Sequence, residues 1–151
     1  MDHARGLTDR GRDDTALMSK YMHKRDIAPD LIICSSARRT QETLAGLAKS
    51  VIKDSKVKLT DDAYQANTLD LLELLRAVKP KHDSVMIVGH NPSVHDLAVD
   101  LANGGDELER MAAKFPTAAL AEFKVDCEWD QLAPEGAELS AFTTPKELRP
   151  G

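Results

Sequence analysis

Two short apolar runs, each ending abruptly in polar or charged residues, most restrict what this chain can fold into. Leu31–Cys34 leads within five residues to Arg38 and Arg39, and Val85–Val88 leads directly into Gly89 and His90. An apolar run followed by a helical pattern is typical of a buried parallel strand that precedes its crossover helix. Ligands bind beyond the carboxyl ends of such strands. We therefore expect an arginine and the histidine to meet in one anion-sized pocket.

The rest of the chain alternates between helical and strand patterns. This order, with no internal repeat and no linker, predicts one α/β domain over residues 1–151. We expect three layers, with a mostly parallel central sheet and helices on both of its faces. Predicted helices cover residues 8–26, 39–52, 68–78, 93–101 and 107–113, and further strands cover residues 57–59, 119–125 and 138–143.

Composition excludes several classes of partner. The formal charge of −5 argues against nucleic acid or an anionic membrane surface as the main partner. No apolar stretch is long enough to span a bilayer, and Met1 is followed by Asp2 rather than by a leader sequence, so we expect a cytoplasmic protein. Cys34 and Cys127 lack the spacing of a zinc site and are expected to be reduced and buried. We predict no metal and no cofactor.

Four motifs occur in an order that resembles a known family. They are Leu7-Thr8-Asp9-Arg10-Gly11, Cys34-Ser35-Ser36-Ala37-Arg38-Arg39-Thr40-Gln41-Glu42-Thr43, Val88-Gly89-His90-Asn91-Pro92 and Phe115-Pro116-Thr117-Ala118-Ala119-Leu120. Together they resemble the phosphohistidine phosphatase (SixA-type) branch of the histidine phosphatase superfamily, over essentially the whole chain. The resemblance implies a phosphoglycerate mutase-like α/β fold.

The resemblance also suggests site residues. It places Arg39 on the family's phosphate-binding arginine and His90 on its second pocket histidine, and these are the candidate catalytic residues. Arg5 and Asn91 are candidate substrate-binding residues. A guanidinium suits phosphate because its planar fork matches two oxygens at once. From the residues alone, a solvated arginine at a helix start and an ordinary hydrogen-bonded histidine remain alternatives.

One family feature has no counterpart in the sequence. The family opens with a strand ending in an Arg-His-Gly triplet, whose histidine accepts the phosphoryl group. This chain begins at Met1-Asp2-His3, after the place of that triplet. His3 precedes no glycine and follows no apolar strand, so we do not assign it as the nucleophile. We expect an N-terminally incomplete domain, and we expect the 151-residue chain to be inactive by itself.

The implied activity is two-step phosphoryl transfer through a histidine, without metal or cofactor. The implied substrate is phosphohistidine on a protein, as in phosphorelays, and a small phosphomonoester is the enzymatic alternative. A different class of function also remains open: a non-catalytic module that binds phosphate or a partner. A third possibility is that the gene model has lost its first segment.

Overall fold

Both apolar runs form neighbouring parallel strands, as the sequence predicts. The computed structural model describes residues 2–150. Its parallel sheet has the order β2-β1-β3, where β1 is Leu31–Ser35, β2 is Lys56–Thr60 and β3 is Val85–Val88. Cα partners such as Ile33 with Ile87 set the register of β1 against β3. All of β1 is buried, and its carboxyl end therefore lies beside that of β3.

The C-terminal strands pair with each other instead of joining the parallel sheet. Strands β4 (Leu120–Val125) and β5 (Ala137–Thr143) form a separate antiparallel pair. The expectation that they continue an alternating α/β order is therefore corrected at this point. The helices are α1 (Asp9–Lys24), α2 (Arg38–Ala45), α3 (Lys49–Ile52), α4 (Thr68–Arg76), α5 (Ser93–Leu101), α6 (Leu108–Ala113) and α7 (Pro145–Leu148).

Helices cover both faces of the parallel sheet, which confirms the predicted three layers. Met86 of β3 packs on one face against Met18 and Met22 of α1. Val85 and Ile87, which alternate with Met86, pack on the other face among side chains of α4 and α5. This alternation follows from the period of two in a strand. The fold is a mostly parallel α/β architecture.

Two predicted helices differ from the structure in detail. The predicted helix over residues 39–52 is divided into α2 and α3, because the chain turns at Gly46, whose N–H bonds back to the carbonyls of Glu42 and Thr43. Helix α4 begins with a capping box at Asn67 and ends at Arg76, two residues before the predicted end at residue 78. Leu69 is 60% exposed, and Leu71, two positions later, is buried.

A groove separates the two sheets. Within residues 2–150, β3 pairs only with β1, and β4 pairs only with β5. Every residue of β3 is only half-buried, unlike those of β1. A cavity of about 480 Å³ runs beside Met86 and Val88 to Leu120, with Met18 and Met22 in its wall. Its polar end contains His90 and Arg39.

No helix formed by residues 2–150 combines the length and the apolar character needed to cross a membrane.

Candidate active site

A tightly bonded turn between β1 and α2 sets the direction of the two arginines. Thr40 Oγ1 donates to the carbonyl oxygens of Ser35 (2.9 Å) and Ala37 (2.8 Å), and the Ala37 N–H donates to Ser35 Oγ. Consecutive helical residues point about 100° apart. Only one of Arg38 and Arg39 can therefore face the end of β3, and the structure shows which one.

Arg39 faces the pocket, and Arg38 faces outward. The Arg38 side chain is 61% exposed and lies 3.4 Å from Glu42 Oε2. Its backbone N–H donates to the carbonyl of His3 at 2.9 Å. The segment before α1 therefore occupies one of the first N–H groups of α2. The side chain of Arg39 is only 21% exposed.

His90 lies at the end of β3, between Arg39 and Ser35. Arg39 Nη2 is 3.1 Å from His90 Nδ1, and His90 Nε2 is 2.7 Å from Ser35 Oγ. A guanidinium can only donate, so Nδ1 accepts and the ring proton lies on Nε2, which donates to Ser35. Burial, and then the charge of Arg39, lower the pKa of His90 below its usual 6.5. The geometry therefore holds a neutral imidazole.

The two candidate substrate-binding residues lie at the mouth of the groove. The Arg5 guanidinium is 66% exposed and its Nη2 lies 3.3 Å from Asp2 Oδ1. Asn91 Nδ2 donates to the carbonyl of Phe115 at 2.8 Å, so the Asn91 amide joins the end of β3 to the segment before β4. Both residues line the same cavity as His90. In this structure one N–H of the Asn91 side-chain amide is therefore used within the fold.

Asp2 and Tyr64 belong to the site although sequence reasoning did not select them. Asp2 Oδ2 lies 3.3 Å from Arg39 Nη2 and accepts from the Tyr64 hydroxyl at 2.7 Å. The bond to Tyr64, and then the charges of Arg39 and Arg5, lower the pKa of Asp2, and the same bond raises the pKa of Tyr64. Ser35 was missed as well, although its position at the end of β1 was a usable signal.

His3 lies at the rim of the site. Its Nε2 is 2.9 Å from Ser36 Oγ, and Ser36 in turn donates to Asp61. Its ring meets the edge of Tyr64 with centroids 4.8 Å apart, and Tyr64 meets His90 at 5.7 Å. The Ser36 hydroxyl donates its hydrogen bond to the carboxylate of Asp61 rather than to His3. His3 is therefore not placed to activate Ser36 as a nucleophile. The exposed imidazole of His3 is held by Ser36, directly after β1, and by Tyr64, in the segment after β2.

In the part of the chain that the structure describes, no three His, Cys, Asp or Glu side chains are grouped closely enough to hold a metal ion. The two cysteines differ in their surroundings. Cys34 is buried, and burial raises the pKa of its thiol to about 11. Cys127 is exposed, so the prediction that both are buried is wrong for this residue. Its position between β4 and the following turn accounts for the exposure.

No family model matches the sequence. Relatives do match it along nearly its full length. An uncharacterised protein of Mycobacterium leprae (strain TN) is 30% identical over 150 residues, which cover 96% of this chain and 89% of the relative. An uncharacterised protein of Mycobacterium tuberculosis H37Rv is 30% identical over 149 residues, which cover 96% of this chain and 92% of that relative.

Solved structures with the same fold are phosphohistidine phosphatases by description. A candidate phosphohistidine phosphatase SixA from Agrobacterium tumefaciens has a TM-score of 0.79 and 27% identity, covering 96% of this chain and 86% of that one. A candidate SixA from Nakamurella multipartitia has a TM-score of 0.85 and 24% identity, and the match covers 96% of this chain and 87% of that one. The protein histidine phosphatase SixA complexed with tungstate has a TM-score of 0.79 and 20% identity, and the match covers 99% of this chain and 90% of that one.

The parallel sheet, its flanking helices and the arginine and histidine at adjacent strand ends define a protein of the histidine phosphatase superfamily. Within that superfamily, the chain has the SixA-type fold, and it belongs to the same family as the uncharacterised mycobacterial proteins.

Proposed function

We propose that this chain provides the phosphate-binding part of a phosphatase that hydrolyses phosphohistidine on proteins. The observation that carries the proposal is the contact of Arg39 Nη2 with His90 Nδ1 at 3.1 Å, where two adjacent parallel strands end. A fixed cation and an imidazole aimed at one place suit the charged oxygens of a phosphoryl group in transfer.

The proposed reaction has two steps. A histidine nitrogen attacks phosphorus while the bond from phosphorus to the substrate's imidazole nitrogen breaks, which gives a phosphorylated enzyme and a free substrate histidine. Water then attacks the phosphorylated histidine, so phosphate leaves and the nucleophile is restored. Arg39 offsets the charge of the phosphoryl oxygens, and the Nε2–H of His90, which donates to Ser35 in the free protein, turns to donate to one of them. Arg5 and Asn91 bind the substrate at the rim.

The groove between β3 and β4 supports a place for the nucleophile. The exposed backbone edge of β3 and apolar walls that include Met18, Met22 and Leu120 suit one further strand. A strand running parallel to β3 would end beside His90. We propose that the nucleophilic histidine ends such a strand, supplied by a segment outside the 151 residues. His3 has its own contacts at the rim and is not given this role.

The descriptions of the solved structures support the proposed substrate class. Their descriptions name phosphohistidine phosphatases, one of them with the phosphate analogue tungstate bound. A phosphohistidine-bearing protein is therefore the proposed partner, and a small phosphomonoester is the alternative substrate. A cytoplasmic location, a single domain, the absence of nucleic-acid and membrane partners, and independence from metals and cofactors stay predictions from the sequence.

A longer version of the protein tests the proposal. It carries an upstream apolar strand ending in Arg-His-Gly, and its matched control carries the same strand with that histidine changed to alanine. We expect both to be more soluble and more stable than the 151-residue chain, because both fill the groove. Only the histidine version should release phosphate from a phosphohistidine protein and form an acid-labile phosphoenzyme.

Two outcomes would contradict this proposal. Turnover by the 151-residue chain alone would mean that another residue is the nucleophile, and His3→Ala would then be the first variant to examine. Phosphate binding without turnover in the histidine version would favour a non-catalytic phosphate-binding module.

A further inference from the structure

The carboxylate of Asp2 is surrounded by donors in the way that a bound oxyanion would be. Its Oδ1 lies 3.3 Å from Arg5 Nη2, and its Oδ2 lies 3.3 Å from Arg39 Nη2. The hydroxyl of Tyr64 donates to the same Oδ2 at 2.7 Å. Two guanidinium groups and a hydroxyl on one anion are a typical donor set for a phosphoryl group.

Asp2 also uses donors that a phosphoryl group would need. Nη2 of Arg39 carries two hydrogens, of which one faces Asp2 Oδ2 and the other faces His90 Nδ1. Nη1 donates to the Asp2 carbonyl at 3.0 Å. A phosphoryl oxygen placed beside His90 can therefore bond to Nη2 only when the Asp2 carboxylate moves away.

The surroundings allow such an exchange. The Asp2 side chain is 54% exposed, so moving it uncovers little apolar surface. Arg39 is held in a partly buried position by His90, and the ring of Tyr64 contacts both His3 and His90 edge-on. Arg39 and Tyr64 therefore stay in place while the carboxylate leaves, and the exposed Arg5 side chain is free to follow the incoming anion.

We propose that Asp2 is an internal anion that occupies the phosphoryl-binding position, and that Tyr64 is a further phosphoryl-binding residue. This inference rests on the proposed function, since it concerns the same pocket. An incoming phosphoryl group displaces Asp2 and takes over its bonds from Arg5, Arg39 and the Tyr64 hydroxyl. The side chain of Asp2 thus lowers the affinity for free phosphate and favours ligands that also make other contacts.

Binding of inorganic phosphate or orthovanadate, measured by calorimetry, tests the role of Asp2. Asp2→Asn keeps the shape and removes the charge, and we expect it to bind phosphate roughly two- to fivefold more tightly at low salt. The gain should shrink as salt rises, because these charges are exposed. The matched control is Asp62→Asn, which removes an exposed charge of the nearby turn and should bind like the unchanged protein.

Tyr64→Phe tests the second half of the proposal, with Tyr21→Phe as its control. Tyr21 bonds to Arg25, away from the site. We expect Tyr64→Phe to weaken phosphate binding by about threefold or more, and Tyr21→Phe to leave it unchanged. Unchanged affinity in Tyr64→Phe overturns the assignment of Tyr64.

The outcomes separate this inference from the function on which it rests. Unchanged or weaker binding by Asp2→Asn overturns the internal-anion role, because a carboxylate that only positions Arg39 would help binding. If the unchanged protein binds phosphate and Arg39→Ala abolishes that binding, the proposed function survives this result. If neither the unchanged protein nor Asp2→Asn binds phosphate, both proposals fail.

Discussion

Arg39 and His90 meet across the carboxyl ends of β1 and β3, with Nη2 3.1 Å from Nδ1. The two residues lie 51 positions apart in the sequence. Parallel pairing of the strands brings them together, and the bonded turn after Ser35 decides that Arg39, not Arg38, takes part. The contact also fixes the tautomer of His90. Each part of this relationship can be tested separately.

Arg39→Ala should weaken the binding of phosphate or vanadate far more than Arg38→Ala does. A charge-assisted bond to an anion contributes about 1.5–3 kcal/mol, or roughly 10- to 150-fold in affinity. Arg38 instead contacts Glu42 at the surface, so its loss should change affinity by no more than about twofold. Calorimetric titration of both variants measures this difference. Equal losses in the two would contradict the assignment.

His90→Ala should remove most phosphatase activity from a version that carries the nucleophile, by about 100-fold or more. The fold should persist, because the half-buried ring of His90 is bonded to Ser35 and Arg39 at the edge of the core. Kinetics should be paired with circular dichroism and thermal melting. A large drop in melting temperature, with normal turnover per folded molecule, would indicate a structural role instead.

The pKa of His90 should lie below 6.5 in the folded protein. Arg39→Ala should raise this pKa but not restore it fully, because burial is its larger cause and remains. NMR titration of the histidine ring protons measures both values, with His90→Asn identifying the signal. A pKa at or above 6.5 in the unchanged protein would contradict the neutral imidazole.

The same pKa predicts how stability depends on pH. A lowered pKa means that, at pH values just below 6.5, the folded state binds fewer protons at His90 than the unfolded state does. This contribution to stability is present above about pH 6.5 and is lost progressively below it, as the pH falls through the lower pKa of His90 in the folded state. Between pH 7.5 and 5.5, the unchanged protein should therefore lose more stability than His90→Asn does in thermal melting.

Leu71→Ala should destabilise the protein by about 2–5 kcal/mol, because Leu71 is 1% exposed in the core between α4 and α5. Leu69→Ala, two positions earlier in the same helix, should change stability by less than about 0.5 kcal/mol, since Leu69 is 60% exposed. Urea unfolding of both variants gives the comparison. Similar losses would mean that α4 is rotated relative to its position here.

Chelators should leave the activity unchanged, because guanidinium groups provide the positive charge that a metal provides in other phosphatases. The measurement is phosphohistidine hydrolysis by the longer version before and after EDTA. Lost activity that a divalent ion restores would count against the proposed mechanism.

The sequence predicted those parts of the site that are positioned by strands. Apolar runs mark β1 and β3, and the carboxyl-end rule then brings Arg39 and His90 together. The predicted start of α1 is likewise confirmed. Thr8 caps this helix by accepting a hydrogen bond from the N–H of Gly11, which is a local interaction that the sequence shows. These features depend on neighbours within a few residues or on a general rule of sheet topology.

The rest depends on contacts between distant residues, which no local pattern shows. Nothing near Asp2 indicates that it bonds to Tyr64, 62 positions later. Leu69 and Leu71 are both apolar, and only the packing of α4 against α5 decides which is buried. The break after α2 follows from Gly46 together with the bond from the Ala48 N–H to Ser19 of α1, a tertiary contact.

The groove divides the backbone hydrogen bonds of the protein into two separate ladders. Across it, side chains such as Met22, Met86 and Leu120 are in contact, but within residues 2–150 no strand joins β3 to β4. Side-chain packing permits small sliding movements that a backbone ladder resists. A strand seated in the groove would join the two sheets into one and hold the pocket from both sides. Under the proposed function, the strand that carries the reactive histidine would then also be the strand that connects the two sheets.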